Sequence, residues 1–155
     1  MKKTFKTKID PDVIKKYNIY NAGERQFDLE IYFYLNSPDG WSQDGYYFEQ
    51  SENPDIEIRL CSQTTIDEEC GLGEKLSCAV LGGHNIYLNS DRWFHGAPKS
   101  KLDLENYRQY MVSHEMGHIL GKGHKNCKGL GYYAPIMLQQ TLGIGKCIPN
   151  TNVKK

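Results

Sequence analysis

Within residues 114–124 the chain gathers three of its five histidines, in the order His114-Glu115-Met116-Gly117-His118-Ile119-Leu120-Gly121-Lys122-Gly123-His124. No other stretch restricts the fold as tightly, because these residues can act together only on a helix that stops at a set place. Residues four apart on a helix lie about 40° from eclipsed and one turn apart, so His114 and His118 can aim ring nitrogens at one atom about 2 Å from each. Glu115, next to the first histidine, can reach a metal-bound water without coordinating the metal itself. A straight helix cannot supply a third ligand at this spacing. Gly121 ends the helix, the chain turns back, and His124 arrives three residues later. Three neutral imidazoles leave a fourth position for water, the arrangement expected of a catalytic zinc ion rather than a closed structural one. A lone histidine is ordinarily a satisfied core side chain. Five specified residues at about one in twenty each arise by chance in far fewer than about one chain in a thousand. The expected metal ligands are therefore His114, His118 and His124, with Glu115 as the general base.

The helix that carries them is predicted to start at Leu104. Asp103 is a suitable N-cap, and Glu105 lies in the first turn, where the helix dipole favours a carboxylate. Upstream, Lys15–Tyr20 reads as a short first strand closed by a turn at Asn21-Ala22-Gly23. Phe27, Leu29, Ile31, Phe33 and Leu35 alternate as in a strand, yet Phe27, Ile31 and Leu35 also recur at helical spacing. Ser37-Pro38-Asp39-Gly40 ends that segment under either reading. Tyr46–Glu49, Asp55–Cys61 and Asn85–Asn89 read as strands, with a loop carrying Cys70 and Cys78 before the last.

At 155 residues, with no repeat or dividing linker, one domain is expected over residues 9–150, with residues 1–8 and 151–155 as flexible, solvated tails. Lys plus Arg equals Asp plus Glu at 19 each, so net charge gives no reason to expect nucleic acid or an anionic membrane as partner. No apolar run is long enough to span a bilayer. The basic N-terminus has no apolar segment behind it and is not an intact secretory signal. The five cysteines, none in a CxxC pair, suggest an oxidising setting instead. These two indications oppose each other, and the compartment stays open.

HEMGHILGKGH matches the metzincin pattern HExxHxxGxxH, and Ala134-Pro135-Ile136-Met137, thirteen residues after His124, resembles the methionine turn of that clan. More narrowly, RQYMVSHEMGHILGKGHKNC followed by APIMLQQTLGIGKC resembles a family of metzincin-like domains common in secreted actinobacterial proteins. NSPDGW, the Cys70–Cys78 loop and LNSDRWFHGAP extend that likeness over Phe27–Cys147. The resemblance implies an α+β single domain, with a twisted mixed sheet, a backing helix, an active-site helix and an irregular C-terminal part. It favours the helical reading of Phe27–Leu35, and it suggests Asn85–Asn89 as the cleft edge, where an extended substrate adds a strand. It also supports Cys70–Cys78 and Cys127–Cys147 as disulfides, which loop proximity allows, with Cys61 left reduced in the core. Gln139 stands where several metzincins carry a tyrosine near the metal, so no tyrosine is assigned to the site.

The expected activity is zinc-dependent cleavage of peptide bonds in a peptide or protein substrate, by a monomer holding one zinc ion. The rivals are a metal-stabilised peptide-binding module with little turnover, and a zinc hydrolase of non-peptide amides or esters. Weaker candidates are His84 and His95 as metal or substrate ligands, Trp93 and Phe94 as a subsite wall, and Asp67-Glu68-Glu69 as a calcium site. Each has an ordinary structural reading as loop residue, core packing or solvated face.

Overall fold

In the computed structural model, which describes residues 1–71 and 75–155, five strands form one sheet in the order β2-β1-β3-β5-β4. They are β1 Lys2–Ile9, β2 Tyr47–Gln50, β3 Ile56–Cys61, β4 Cys78–Ala79 and β5 Asn85–Asn89. β1, β2, β3 and β5 run parallel, and β4 pairs antiparallel with β5. Alternation sorts the side chains. Phe5, Ile56, Ile58, Leu60, Ile86 and Leu88 are buried, while Lys6, Glu57, Arg59 and Tyr87 face outward, with Lys6 and Glu57 in register. Five helices accompany the sheet among the described residues: α1 Pro11–Lys16, α2 Asn21–Leu35, α3 Gln63–Cys70, α4 Ser90–His95 and α5 Leu104–Ile119. α2 packs on β1 and β2, α5 on β4 and β5, and the two helices touch each other. Beyond α5 the chain is irregular apart from one turn of 3-10 helix at Gln140–Leu142 and an isolated β-bridge between Tyr133 and Ile148. The protein is thus an α+β single domain with a mixed sheet, a backing helix and a helix bearing the histidines. No helix among the described residues is long and apolar enough to cross a membrane.

Several expectations need correction. Residues 1–8 are not a tail: β1 lies between β2 and β3, and Phe5 is fully buried. Lys2, Lys6 and Lys8 occupy solvent-facing positions, where Lys2 pairs with Glu49 at 3.3 Å and Lys6 with Glu52 at 3.0 Å. Residues 151–155 are also tied down, through Val153 N–H to the Asp39 carbonyl (2.9 Å), Thr151 to the Asp39 carboxylate (3.2 Å) and a Lys154–Asp44 ion pair. Lys15–Tyr20 forms no strand, because Pro11, with its fixed φ, starts α1 and the helix runs through Lys16. Asn21-Ala22-Gly23 is not a turn between strands but the first turn of α2, where Gly23 N–H meets the Tyr20 carbonyl at 2.7 Å. In α2 the helical reading of Phe27–Leu35 holds. Phe27, Ile31 and Leu35 are buried, whereas Leu29 and Phe33 are 53% and 66% exposed.

The segment after β3 is partly helical rather than all loop. Ser62 caps α3 by accepting from Thr65 N–H, and residues 72–74 of the expected loop lie outside the described residues. β5 is not the edge of the sheet, because β4 covers it with Cys78 opposite Tyr87 and Ala79 opposite Ile86. Cys70 and Cys78 form one disulfide, Cys127 and Cys147 the other, and Cys61 is a buried free thiol, as the sequence led one to expect. Burial pushes the Cys61 thiol up to about 12.

Candidate metal centre

The centre is built on α5, whose two ends follow from sequence chemistry. At its start the Asp103 carboxylate accepts from Asn106 N–H at 2.8 Å, satisfying one of the free donors of the first turn. At its end Gly121 takes φ +89° and donates to the His118 carbonyl at 3.0 Å, while Lys122 N–H reaches the Gly117 carbonyl at 2.8 Å. These two bonds are the Schellman closure, which satisfies the last carbonyls and reverses the chain. The reversal carries His124 back over the helix.

His114, His118 and His124 offer ligand nitrogens that all lie within 4.8 Å of one another. His118 Nε2 and His124 Nε2 are 3.1 Å apart. Nitrogens about 2 Å from a shared tetrahedral ion are roughly 3.3 Å apart, so this spacing suits one cation. His114 Nδ1 lies 2.8 Å from the Ile136 carbonyl, and His118 Nδ1 lies 2.8 Å from the Lys122 carbonyl. A carbonyl can only accept, so both Nδ1 atoms carry the proton and both Nε2 lone pairs point inward, the orientation a metal ligand requires. Burial lowers the His114 imidazole to about 3, and burial and then the nearby His118 lower His124. Both are therefore neutral, ligand-competent bases at neutral pH.

Glu115 is fully enclosed, with one oxygen 3.9 Å from His114 Nε2 and the other, Oε2, lacking any hydrogen-bond partner among the described residues. Burial alone pushes its carboxyl up to about 8. An unpartnered buried carboxylate is costly unless a cation or a polar ligand faces it. The three imidazoles beside it form the only group of three or more His, Cys, Asp or Glu side chains among the described residues that could hold a metal ion. The donor set and the orphaned carboxylate oxygen together fit a divalent cation.

The segment Pro135–Met137 closes the centre from below. Met137 packs its thioether against Gly117 and the buried Trp41, whose indole N–H donates to the Ser113 carbonyl at 2.7 Å. Tyr110 fastens the next stretch, donating to the Leu138 carbonyl (3.0 Å) and accepting from Gln140 N–H (2.9 Å). Burial raises its phenol well above the ordinary range, so it stays protonated. On the open side lies a recess of about 130 Å³, lined by the histidines, Glu115, Gln139, Tyr107, Thr141 and β4 residues Cys78 and Ala79. Tyr107 Oη and Thr141 Oγ1 meet at 2.7 Å. The recess is thus a slot bordered by the edge strand β4, the three imidazoles and the rings of Tyr107 and Tyr110.

The sequence motif thus identified the residues that the fold brings together. Trp41, Tyr107, Tyr110 and Thr141 were not assigned to the site, although Tyr107 and Tyr110 precede His114 at helical spacing and were legible as the same face. The carbonyls of Ile136 and Lys122 left no signal, since any residue supplies one. The weaker candidates lie elsewhere. His84 is exposed and meets the Asp55 carbonyl at 3.2 Å, Trp93 is core beside Phe27, Phe94 stacks on Tyr17, and Asp67-Glu68-Glu69 lie in α3.

Residues 1–151 match the profile of a family described as "Protein of unknown function (DUF3152)". The chain belongs to the DUF3152 family. That match begins before β1 and ends after Cys147, so the DUF3152 unit contains the first strand, the three-histidine group and the C-terminal disulfide. No curated protein matches the chain in sequence.

Proposed function

We propose that the protein is a zinc-dependent endopeptidase of the metzincin type, with His114, His118 and His124 holding one zinc ion and Glu115 as general base. The observation that carries this reading is the convergence of three inward-facing imidazoles beside a buried carboxylate with an unpartnered oxygen. Three nitrogen ligands with an open side suit zinc in a catalytic setting. When bound, zinc supplies Lewis acidity that polarises a substrate carbonyl and acidifies water.

The chain's own residues supply the rest. An extended peptide adds beside β4, whose outer edge borders the recess, and the aromatic slot takes a substrate side chain. Glu115 removes a proton from the attacking water and delivers it to the leaving amine nitrogen, so the carboxylate is regenerated in each turnover. Enclosure raises its proton affinity, which favours the first transfer, removal of a proton from water, over that to an exposed carboxylate.

A digest of a fluorogenic peptide library, with and without chelator, tests this reading. Chelator-sensitive cleavage is expected, and Glu115→Gln should lower it at least about 100-fold while retaining zinc. Binding of peptides without cleavage by the zinc-loaded protein would replace the reading with a peptide-binding module, and cleavage restricted to esters or non-peptide amides would replace the substrate class.

A further inference from the structure

The even net charge conceals a division along the chain. Residues 1–115 carry thirteen Lys and Arg against nineteen Asp and Glu, a balance of −6, while residues 116–155 carry six lysines and no carboxylate side chain at all. Four of those six, Lys122, Lys125, Lys154 and Lys155, line one recess of about 290 Å³ together with Pro135, Ile136 and Met137, none of which lines the recess at the histidines. Trp41 lines it as well, and Asp44, the one carboxylate side chain among its described lining residues, is paired with Lys154. Lys122, Lys125 and Lys155 have no carboxylate partner among the described residues.

Lys122 Nζ is held in place 5.3 Å from the ring centre of Trp41, which lines the same recess, while Lys155 Nζ rests 5.1 Å from that of Tyr133, which lines a neighbouring recess. The backbone beneath them is fixed as well, by Lys125 N–H to the Met137 carbonyl (3.0 Å) and Val153 N–H to the Asp39 carbonyl (2.9 Å). Like charges gathered around one concavity repel one another until a counter-ion enters. The identity of the cations indicates its kind. No arginine lines the recess, so the planar two-pronged grip that suits a carboxylate is missing, whereas lysines act as separate point charges on a multiply charged oxyanion.

We propose that this recess is a second binding site, distinct from the metal slot, for a phosphate-class anion bearing two or more negative charges. A free oligophosphate and a phosphodiester polymer share that chemistry. Titrating metal-free protein with tripolyphosphate, and separately with oligo(glycerol phosphate), at matched ionic strength removes direct binding to the metal from consideration. Saturable one-to-one binding of at least one probe is expected, and the tighter of the two identifies the source. Lys122→Gln combined with Lys125→Gln should weaken binding about ten-fold or more, as loss of charge-assisted contacts does. Lys155→Gln should weaken it too, whereas Lys146→Gln, which makes the same charge change outside the recess, should not. Absence of saturable binding to both probes would overturn the site. Equal loss in the Lys146 variant would reduce it to the diffuse field of the basic segment and overturn it likewise. Neither result depends on peptide hydrolysis, so the site and the proposed activity stand or fall separately.

Discussion

A Cβ added to Gly117 would collide with Met137 Sδ and lie 3.0 Å from Trp41 Cζ2. The glycine between the second residue of the motif and His118 is therefore where the methionine beneath the centre gains its close approach. Two effects compete in Gly117→Ala. Alanine in a helix interior favours the fold by about 1 kcal/mol, whereas overpacking a filled core costs about 1–3 kcal/mol. Trp41 is pinned by its own hydrogen bond and Met137 is buried, so overpacking should win, with a net loss of about 1 kcal/mol or more in urea unfolding. A raised midpoint would show that Met137 swings aside freely. Met137→Leu, close in volume, should shift stability by less than about 1.5 kcal/mol. The histidine spacing and Glu115 could be read directly because their chemistry fixes residue type and interval together. The reason for a glycine at 117 could not, since it depends on Trp41 and Met137, which only the tertiary fold brings there.

At the scale of elements, the end of α5 decides whether a third ligand exists. Gly121 has φ +89°, a conformation that costs an L-residue about 1–2 kcal/mol, while Gly123 has ordinary φ and nothing within 4 Å of an added Cβ. Gly121→Ala should therefore lower stability by about 1–2 kcal/mol and weaken metal binding in competition with a chelator, whereas Gly123→Ala should do neither. Equal effects from both would mean that the reversal does not set His124. The irregular segment that follows is clamped by Cys127–Cys147, twenty residues apart. Replacing both by serine should cost about 3 kcal/mol in the chain-entropy account, seen as a lower melting temperature under oxidising conditions. Elements whose signals were local, such as the Asp103 cap and the alternation in Asp55–Cys61, were legible in advance. Lys15–Tyr20 was not, because Tyr17, Ile19 and Tyr20 suit a strand while the proline that starts α1 lies four residues before that segment. β4 was missed because two residues are too few to show a period.

At the scale of the molecule, the largest misreading concerns the first eight residues, and it leads to the strongest test of the architecture. Lys2, Lys3, Lys6 and Lys8 make that stretch look like a solvated end, and the apolar side chains before Asp10, namely Phe5 and Ile9 with Met1 at the start, are too sparse to announce a strand. Yet Lys3, Phe5, Thr7 and Ile9 share one face, and the sheet uses that face. Phe5 is fully buried among the core side chains, and Phe5–Ile9 runs in register with Ile56–Leu60 while Lys2–Phe5 runs in register with Tyr47–Gln50. Because β1 is the only strand among the described residues that touches β2, deleting residues 1–8 would strand β2, expose the edge of β3 and open a hole where Phe5 sits. Removing a buried phenylalanine alone costs about 3–5 kcal/mol, a large fraction of the roughly 5–15 kcal/mol that holds a domain together. Loss of the neighbouring strand's pairing adds to that. The shortened chain should therefore fail to give a dispersed amide spectrum and should lose the metal-binding stoichiometry of the parent, although every residue of the centre is still present. Cooperative unfolding within about 1 kcal/mol of the parent would instead mean that α2 and α5 hold the histidines without the middle of the sheet.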